Sequence, residues 1–152
     1  MLIDTHCHLH DREWFTLEQA EEFLQEAHQD GVQKIICIGT DHQDSINACD
    51  FASNHENVYW TYGIHPEFSG AIRQLDEDIL FLFERIRSYD EEERCNHATA
   101  GVANAPRGKK TKCPLPVAIG EIGLDYHYDG YDRSAQIRLF EQMLQLALDL
   151  NL

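Results

Sequence analysis

The stretch that most constrains the fold is IDTHCH, residues Ile3–His8, close to the start of the sequence. Its β-branched and apolar beginning predicts a β-strand. Because side chains alternate between the two faces of a strand, Asp4, His6 and His8 are predicted to point the same way. Two imidazoles spaced like this can bind one divalent cation, since neutral histidine is a common metal ligand. A hydrogen-bonded histidine pair at a strand end is the alternative.

Length and composition predict one domain with a core of its own. The chain has 152 residues, of which 43% are hydrophobic and 26% charged, as in a globular protein. There is no signal-peptide pattern and no apolar run long enough to cross a bilayer, so no membrane partner is expected. The five cysteines are scattered without close pairs, which favours a reducing cytoplasm over a disulfide framework.

The formal net charge of −15 limits the choice of partners. Such an acidic surface repels a phosphate backbone, so broad electrostatic binding of nucleic acid is disfavoured. Phosphoester substrates stay compatible with this charge where bound cations reverse the local field. The composition therefore argues against a DNA-coating protein but not against a metal-dependent enzyme.

Strand and helix patterns alternate along the chain. After the first strand, the further strands are predicted at Val32–Gly39, Val58–Tyr62 and Pro116–Glu121. The helices are predicted from a capping box at Thr16–Gln19 to a stop at Gly31, over Asp44–Asn54, over Leu75–Arg87, and from near Ser134 onward. Such a βαβαβαβα order builds a parallel sheet, because each helix is the crossover between neighbouring strands.

All four predicted helices have an apolar face predicted to be buried, and one long segment has none. In the first helix the face consists of Leu17, Ala20, Phe23, Leu24 and Ala27. In the last it consists of Ile137, Phe140, Met143, Leu144, Ala147 and Leu148. Residues 88–115 are polar and irregular, which predicts a flexible surface insertion within a single domain spanning 1–152.

The candidate ligands are predicted to meet at one edge of the sheet. Ligands of parallel α/β folds bind at the carboxyl ends of the strands. His6 and His8 end the first strand, His65 follows the third, and Glu121 ends the fourth. The Glu121 carboxylate can bridge two cations, whereas a glutamate that caps a turn or pairs with a lysine is the alternative.

Three motifs in this order resemble the TatD family of metal-dependent deoxyribonucleases and hydrolases, which are amidohydrolase-like TIM barrels. They are DTHCHL at Asp4–Leu9, GIHP at Gly63–Pro66 and GEIGLDY at Gly120–Tyr126. The resemblance covers nearly the whole chain outside 88–115. It implies an α/β fold made of βα units of a TIM barrel, about four of eight, and therefore a half barrel with parallel strands.

The resemblance also implies a site. His6 and His8 would bind the first metal, and Glu121 would bridge it to a second. His65 would lie close by, and Asp125 and the tyrosine after it would shape the pocket, so the expected catalytic residues are Glu121, His65 and Asp125. The implied cofactors are two divalent ions (Mg²⁺, Zn²⁺ or Mn²⁺). The implied reaction is hydrolysis of DNA or another phosphoester by a metal-activated water.

Further ligands of the family lie on later strands, so full activity is expected to need a complementing C-terminal half or self-association. A non-catalytic remnant that binds metal or a partner through an open sheet edge is the alternative. A second hypothesis for an enzyme is an amidohydrolase acting on a small cyclic amide. The GEIGLDY element disfavours it, because that superfamily usually has a lysine or histidine at the bridging position.

Overall fold

The computed structural model describes residues 2–74 and 115–152. Strands and helices alternate in the first range, as β1 (Leu2–Cys7), α1 (Leu17–Gln29), β2 (Val32–Cys37), α2 (His42–Asn54), β3 (Val58–Trp60) and a 3₁₀ helix (Pro66–Gln74). The second range contains one helix, α3 (Arg133–Leu150). The predicted helix over Leu75–Arg87, and all but the last residue of the predicted insertion at 88–115, lie outside the described residues.

The three strands form one parallel sheet in the order β1-β2-β3. Its register places Cys7 beside Cys37, and Cys37 beside Trp60. Helices α1 and α2 are the crossovers between these strands, as expected for parallel pairing. The predicted α/β fold with parallel strands is therefore confirmed, and the carboxyl ends of all three strands lie along the same edge.

The predicted fourth strand is only partly formed. A single parallel bridge joins Tyr62 to Ile119. The amide of Val117 donates to the carbonyl of Trp60 at 2.9 Å, and the amide of Gly120 donates to that of Tyr62 at 2.8 Å. The ladder then ends, because the amide of Glu121 donates instead to the carbonyl of Gly39, which follows β2. The segment therefore runs beside the continuation of β3 without becoming a regular strand.

Side-chain caps fix where α1 and α2 begin. Thr16 accepts from the amide of Gln19, and the Gln19 side chain accepts from the amide of Thr16, which confirms the capping box. Gly31 follows α1 with a φ of +93°, in the region that favours glycine. Helix α2 begins two residues earlier than predicted, because Asp41 caps it by accepting from the amide of Asp44.

The predicted inner faces of two helices are partly wrong. In α1 the buried residues are Ala20 and Leu24. In α3 they are Ala135, Gln136, Leu139, Met143 and Leu146. Of the face predicted for α3, Met143 is buried, whereas Ile137, Leu144 and Leu148 are exposed. The buried face of α3 is therefore rotated relative to the predicted one, and it includes Gln136. The side-chain amide of Gln136 bonds to the backbone of Asp125, whereas its polarity would favour an exposed position.

The core lies between the sheet and the helices. Its largest fully buried hydrophobic side chains are Tyr62, Phe51, Leu139 and Met143. Cys7 and Cys37 are free thiols, but the buried Cys49 is disulfide-bonded. The sequence disfavoured a disulfide framework, and Cys49 departs from that expectation, since spacing along the chain does not limit which thiols meet in space. In the two described ranges, no helix is long and apolar enough to span a bilayer.

Candidate metal centre

The carboxyl end of β1 brings two histidine rings together. His6 Nε2 and His8 Nε2 lie 3.2 Å apart, and their rings meet edge to face. His6 is exposed and His8 is half-buried, so the pair opens to solvent. Asp4 does not join them through its carboxylate, which accepts from the backbone amide of His6 at 3.0 Å. The rings therefore have the proximity that one shared cation requires.

Glu121 completes a group of three possible metal ligands. Its Oε2 lies 3.6 Å from His6 Nε2. One ligand atom each from His6, His8 and Glu121 lies within 4.8 Å of the other two. Tetrahedral bonds of roughly 2.0–2.2 Å to nitrogen and oxygen require ligand separations in this range, so these residues fit a divalent ion. We refer to them as the rim site.

Backbone contacts position Glu121 at the rim site. Its amide donates to the carbonyl of Gly39, just after β2, at 2.7 Å. The hydroxyl of Thr61 donates to the carbonyl of Gly120. Gly63 packs directly on this segment, where an added Cβ would lie 2.2 Å from the carbonyl carbon of Gly120. The carboxylate therefore reaches β1 because residues following β2 and β3 hold its backbone.

His65 lies on the other side of the Glu121 carboxylate. Its Nε2 is 3.8 Å from Glu121 Oε1, and its backbone amide donates to the carbonyl of Thr40 at 2.6 Å. The amide of Glu67 donates to His65 Nδ1 at 3.3 Å, which assigns the proton of the neutral ring to Nε2. His65 therefore presents an N–H to Glu121, as a group that orients a ligand would.

Asp125 lies in the loop before α3, outside both groups of described residues that could hold a cation. Its Oδ1 accepts from the amide of His127, and its backbone is held at both ends by the Gln136 side chain. The residue lines a cavity of about 650 Å³ whose other walls include Pro66, Glu67, Ser69, Tyr128, Tyr131 and Gln136. Since Pro66 and Glu67 directly follow His65, this cavity adjoins the candidate centre.

The two thiols next to the rim site share a contact. Cys7, between the two histidines, has its Sγ 3.9 Å from Cys37 Sγ. The hydrogen bond with Cys37 lowers the pKa of the Cys7 thiol, and the same bond, with burial, raises the pKa of Cys37. Either sulfur can be the donor in this contact.

A second group of possible ligands consists of His8, His10 and Asp44. His10 was not among the residues singled out from the sequence, although it continues the alternation of His6 and His8 by one more step. The sequence did not predict that His10 is buried, because the residue lies in a turn after the end of β1, where side-chain alternation no longer applies.

Parallel βα units that bring a histidine pair and a carboxylate to their carboxyl ends are the arrangement expected of a metal-dependent enzyme built on a TIM barrel. The chain belongs to the TatD related DNase family, whose model matches residues 3–152.

Relatives and a solved structure agree with this assignment. The chain is 28% identical over 152 residues to the metal-dependent hydrolase YabD of Bacillus subtilis, covering 100% of this chain and 48% of that protein. It is 28% identical over 132 residues to the 3′-5′ ssDNA/RNA exonuclease TatD of Cronobacter sakazakii, covering 87% and 40%. The crystal structure of YjjV, a TatD homologue from Escherichia coli, matches with a TM-score of 0.69 and 27% identity, covering 99% of this chain and 48% of YjjV.

These matches support the predicted half-barrel fold class. The chain spans about half the length of the curated relatives it matches.

Proposed function

We propose that this chain carries part of the centre of a metal-dependent phosphodiesterase that cleaves DNA. The observation that carries the proposal is the convergence of His6, His8 and Glu121 within 4.8 Å of one another. Support also comes from the exonuclease named among the relatives, at 28% identity. A divalent ion held there would supply a water of lowered pKa as nucleophile and would offset charge on the phosphoryl oxygens.

Each residue of the candidate centre has a role that follows from its position. His6 and His8 supply neutral nitrogens, and Glu121 supplies an anionic oxygen between β1 and His65. His65 Nε2 lies 3.8 Å from Glu121 Oε1, where its N–H would favour the carboxylate orientation that keeps Oε2 toward His6. Asp125 is a wall of the adjoining cavity, which would receive the substrate beside the rim site.

Donor type narrows the choice of metal. Two imidazoles and one carboxylate suit Zn²⁺ or Mn²⁺ better than Mg²⁺, which prefers oxygen ligands and retains its waters. The chain's net charge of −15 repels phosphate, so the cation also provides the local attraction that the surface lacks.

Cleavage of an end-labelled single-stranded oligonucleotide tests the proposal. The metal-stripped chain is assayed with Zn²⁺, Mn²⁺ or Mg²⁺, beside Glu121→Gln and the matched control Glu141→Gln on the exposed face of α3. We expect weak cleavage that needs the metal, falls by about 100-fold or more in Glu121→Gln, and is unchanged in Glu141→Gln. Equal rates in wild type and Glu121→Gln would contradict the proposal.

The second candidate is a metal-binding protein that associates through β1. This strand is at the edge of the three-stranded sheet, and Leu2 and Ile3 are 59% and 48% exposed. An exposed edge strand with apolar side chains is a template for pairing with another chain. Its occupant would be a second copy or a separate C-terminal half of the barrel.

Light scattering after size exclusion, with and without metal, separates the two candidates. A self-associated species that binds metal through His6 and His8 but hydrolyses no phosphoester favours the second candidate. A monomer whose cleavage depends on Glu121 favours the first.

A further inference from the structure

His10 is a buried histidine whose ring lacks hydrogen bonds. Its side chain is 0% exposed, and neither Nδ1 nor Nε2 has a hydrogen-bond partner among the described residues. Asp44 Oδ1 lies 3.0 Å from Nε2, in a contact that does not meet the geometry of a hydrogen bond. Buried polar groups are nearly always satisfied, and leaving one unsatisfied costs about 1–3 kcal/mol. A bound cation is one partner that would satisfy a ring nitrogen of His10 without a hydrogen bond.

Asp44 has one oxygen committed and one oxygen turned toward His10. Its Oδ2 accepts from the amide of Thr40 at 2.9 Å and from the Thr40 hydroxyl at 3.0 Å. These two donors fix the plane of the carboxylate and leave Oδ1 to face the imidazole. A ligating carboxylate is typically oriented by hydrogen bonds of this kind.

His8 belongs to both groups of ligands. One of its ring nitrogens faces His6, and a ligand atom of His8 also lies within 4.8 Å of ligand atoms of His10 and Asp44. A neutral imidazole has one lone pair for a metal, so His8 serves one cation at a time. Two cation positions that share His8 are therefore alternatives.

We propose that His8, His10 and Asp44 form an inner site for a divalent cation of the Zn²⁺ or Co²⁺ type, separate from the rim site. Two imidazoles and one oriented carboxylate are a donor set that these ions accept. The ion would give His10 Nε2 and Asp44 Oδ1 the shared partner that their contact lacks. The inner position is closed to solvent on the His10 side, so the cation enters past the half-buried His8.

Co²⁺ absorption titrations of the full chain test the inner site, because the d–d bands report coordination and not activity. Removing the rim ligands in the double variant His6→Ala/Glu121→Gln should leave a Co²⁺ site. Adding Asp44→Asn to that variant should weaken Co²⁺ binding by at least about tenfold. His8→Ala should remove both sites, and it sets the baseline for any binding elsewhere in the chain.

Each outcome decides the proposal. Co²⁺ binding at the His8→Ala baseline in the double variant would overturn it, as would binding that is unchanged by Asp44→Asn. In both cases His10 and Asp44 form only a structural ion pair. His10→Asn, added to the double variant, should have the same effect as Asp44→Asn. Circular dichroism and thermal unfolding of every variant separate loss of a ligand from loss of the fold.

Discussion

The backbone amide of Glu121 donates a 2.7 Å hydrogen bond to the carbonyl of Gly39. These two residues lie 82 positions apart in the chain, yet this bond links the fourth parallel segment to the end of β2. Because β2 is paired with β1, the same bond brings the Glu121 carboxylate to the histidines of β1. The rim site therefore depends on backbone packing around Gly39 and Gly63 as much as on its ligands.

Gly63→Ala should damage the rim site without altering a ligand. A Cβ at Gly63 would lie 2.2 Å from the carbonyl carbon of Gly120 and 2.3 Å from the amide nitrogen of Glu121. These are backbone atoms, so the segment carrying Glu121 must shift. We expect a loss of about 1–3 kcal/mol in the free energy of unfolding and weaker Zn²⁺ binding. Denaturant unfolding and calorimetric titration with Zn²⁺ measure the two effects.

Gly70→Ala is the matched control, since no heavy atom of the described residues lies within 4 Å of a Cβ added there. It should leave Zn²⁺ affinity unchanged and should not destabilise the chain. If both alanine variants bind Zn²⁺ like wild type, packing at Gly63 does not position Glu121.

Zn²⁺ should stabilise the chain against unfolding, because the ligands converge only in the folded state. At a free concentration 100 times the Kd, a single site adds about 2.7 kcal/mol. Excess chelator should reverse the effect. Thermal unfolding should show no Zn²⁺ shift in His8→Ala, which loses both proposed positions, and a full shift in His28→Ala, which removes an exposed histidine of α1. A full shift in His8→Ala would place the stabilising ion elsewhere in the chain.

Leu139→Ala should be among the most destabilising changes in α3. Leu139 is 1% exposed, whereas Leu144 in the same helix is 44% exposed. Truncation of the first leaves a cavity and should cost about 2–5 kcal/mol, while truncation of the second should cost about 0.5 kcal/mol or less. Urea unfolding of both variants measures the difference. Similar costs for the two would support the helix face predicted from the sequence over the one in the structure.

Much of the sheet and of the rim site was predictable from local pattern. The apolar run in β2, the capping box at Thr16 and the alternation of strands with helices as far as β3 each depend on neighbouring residues, and each is confirmed. The meeting of His6, His8 and Glu121 followed from one topological rule, that parallel strands present their carboxyl ends at the same edge.

The features that were missed depend on contacts distant in sequence. Gln136 is buried in α3 because the backbone of Asp125 bonds to its amide, and no helical periodicity encodes that partner. The buried His10 contacts Asp44, which belongs to the next βα unit. The fourth segment has the composition of a strand, but its amides donate to Trp60 and Tyr62 after β3 begins and then to Gly39 after β2, which composition does not reveal.

Ser45→Ala should uncouple α2 from the backbone that supports the rim site. The Ser45 hydroxyl is fully buried, donates to the carbonyl of Gly63 at 3.4 Å and accepts from the amide of Gly63 at 3.3 Å. Alanine would leave both groups of Gly63 without this partner in a buried position, which should cost about 1–3 kcal/mol.

The matched control is Ser53→Ala in the same helix, where the hydroxyl donates only to the carbonyl of Cys49, one turn earlier. Removing that local bond should cost about 1 kcal/mol or less, because the Cys49 carbonyl keeps its place in the helix. Unfolding measurements on both variants, with Zn²⁺ titration of each, give the comparison. A Ser45→Ala variant as stable as Ser53→Ala, with unchanged Zn²⁺ affinity, would show that Gly63 holds its position through the sheet alone.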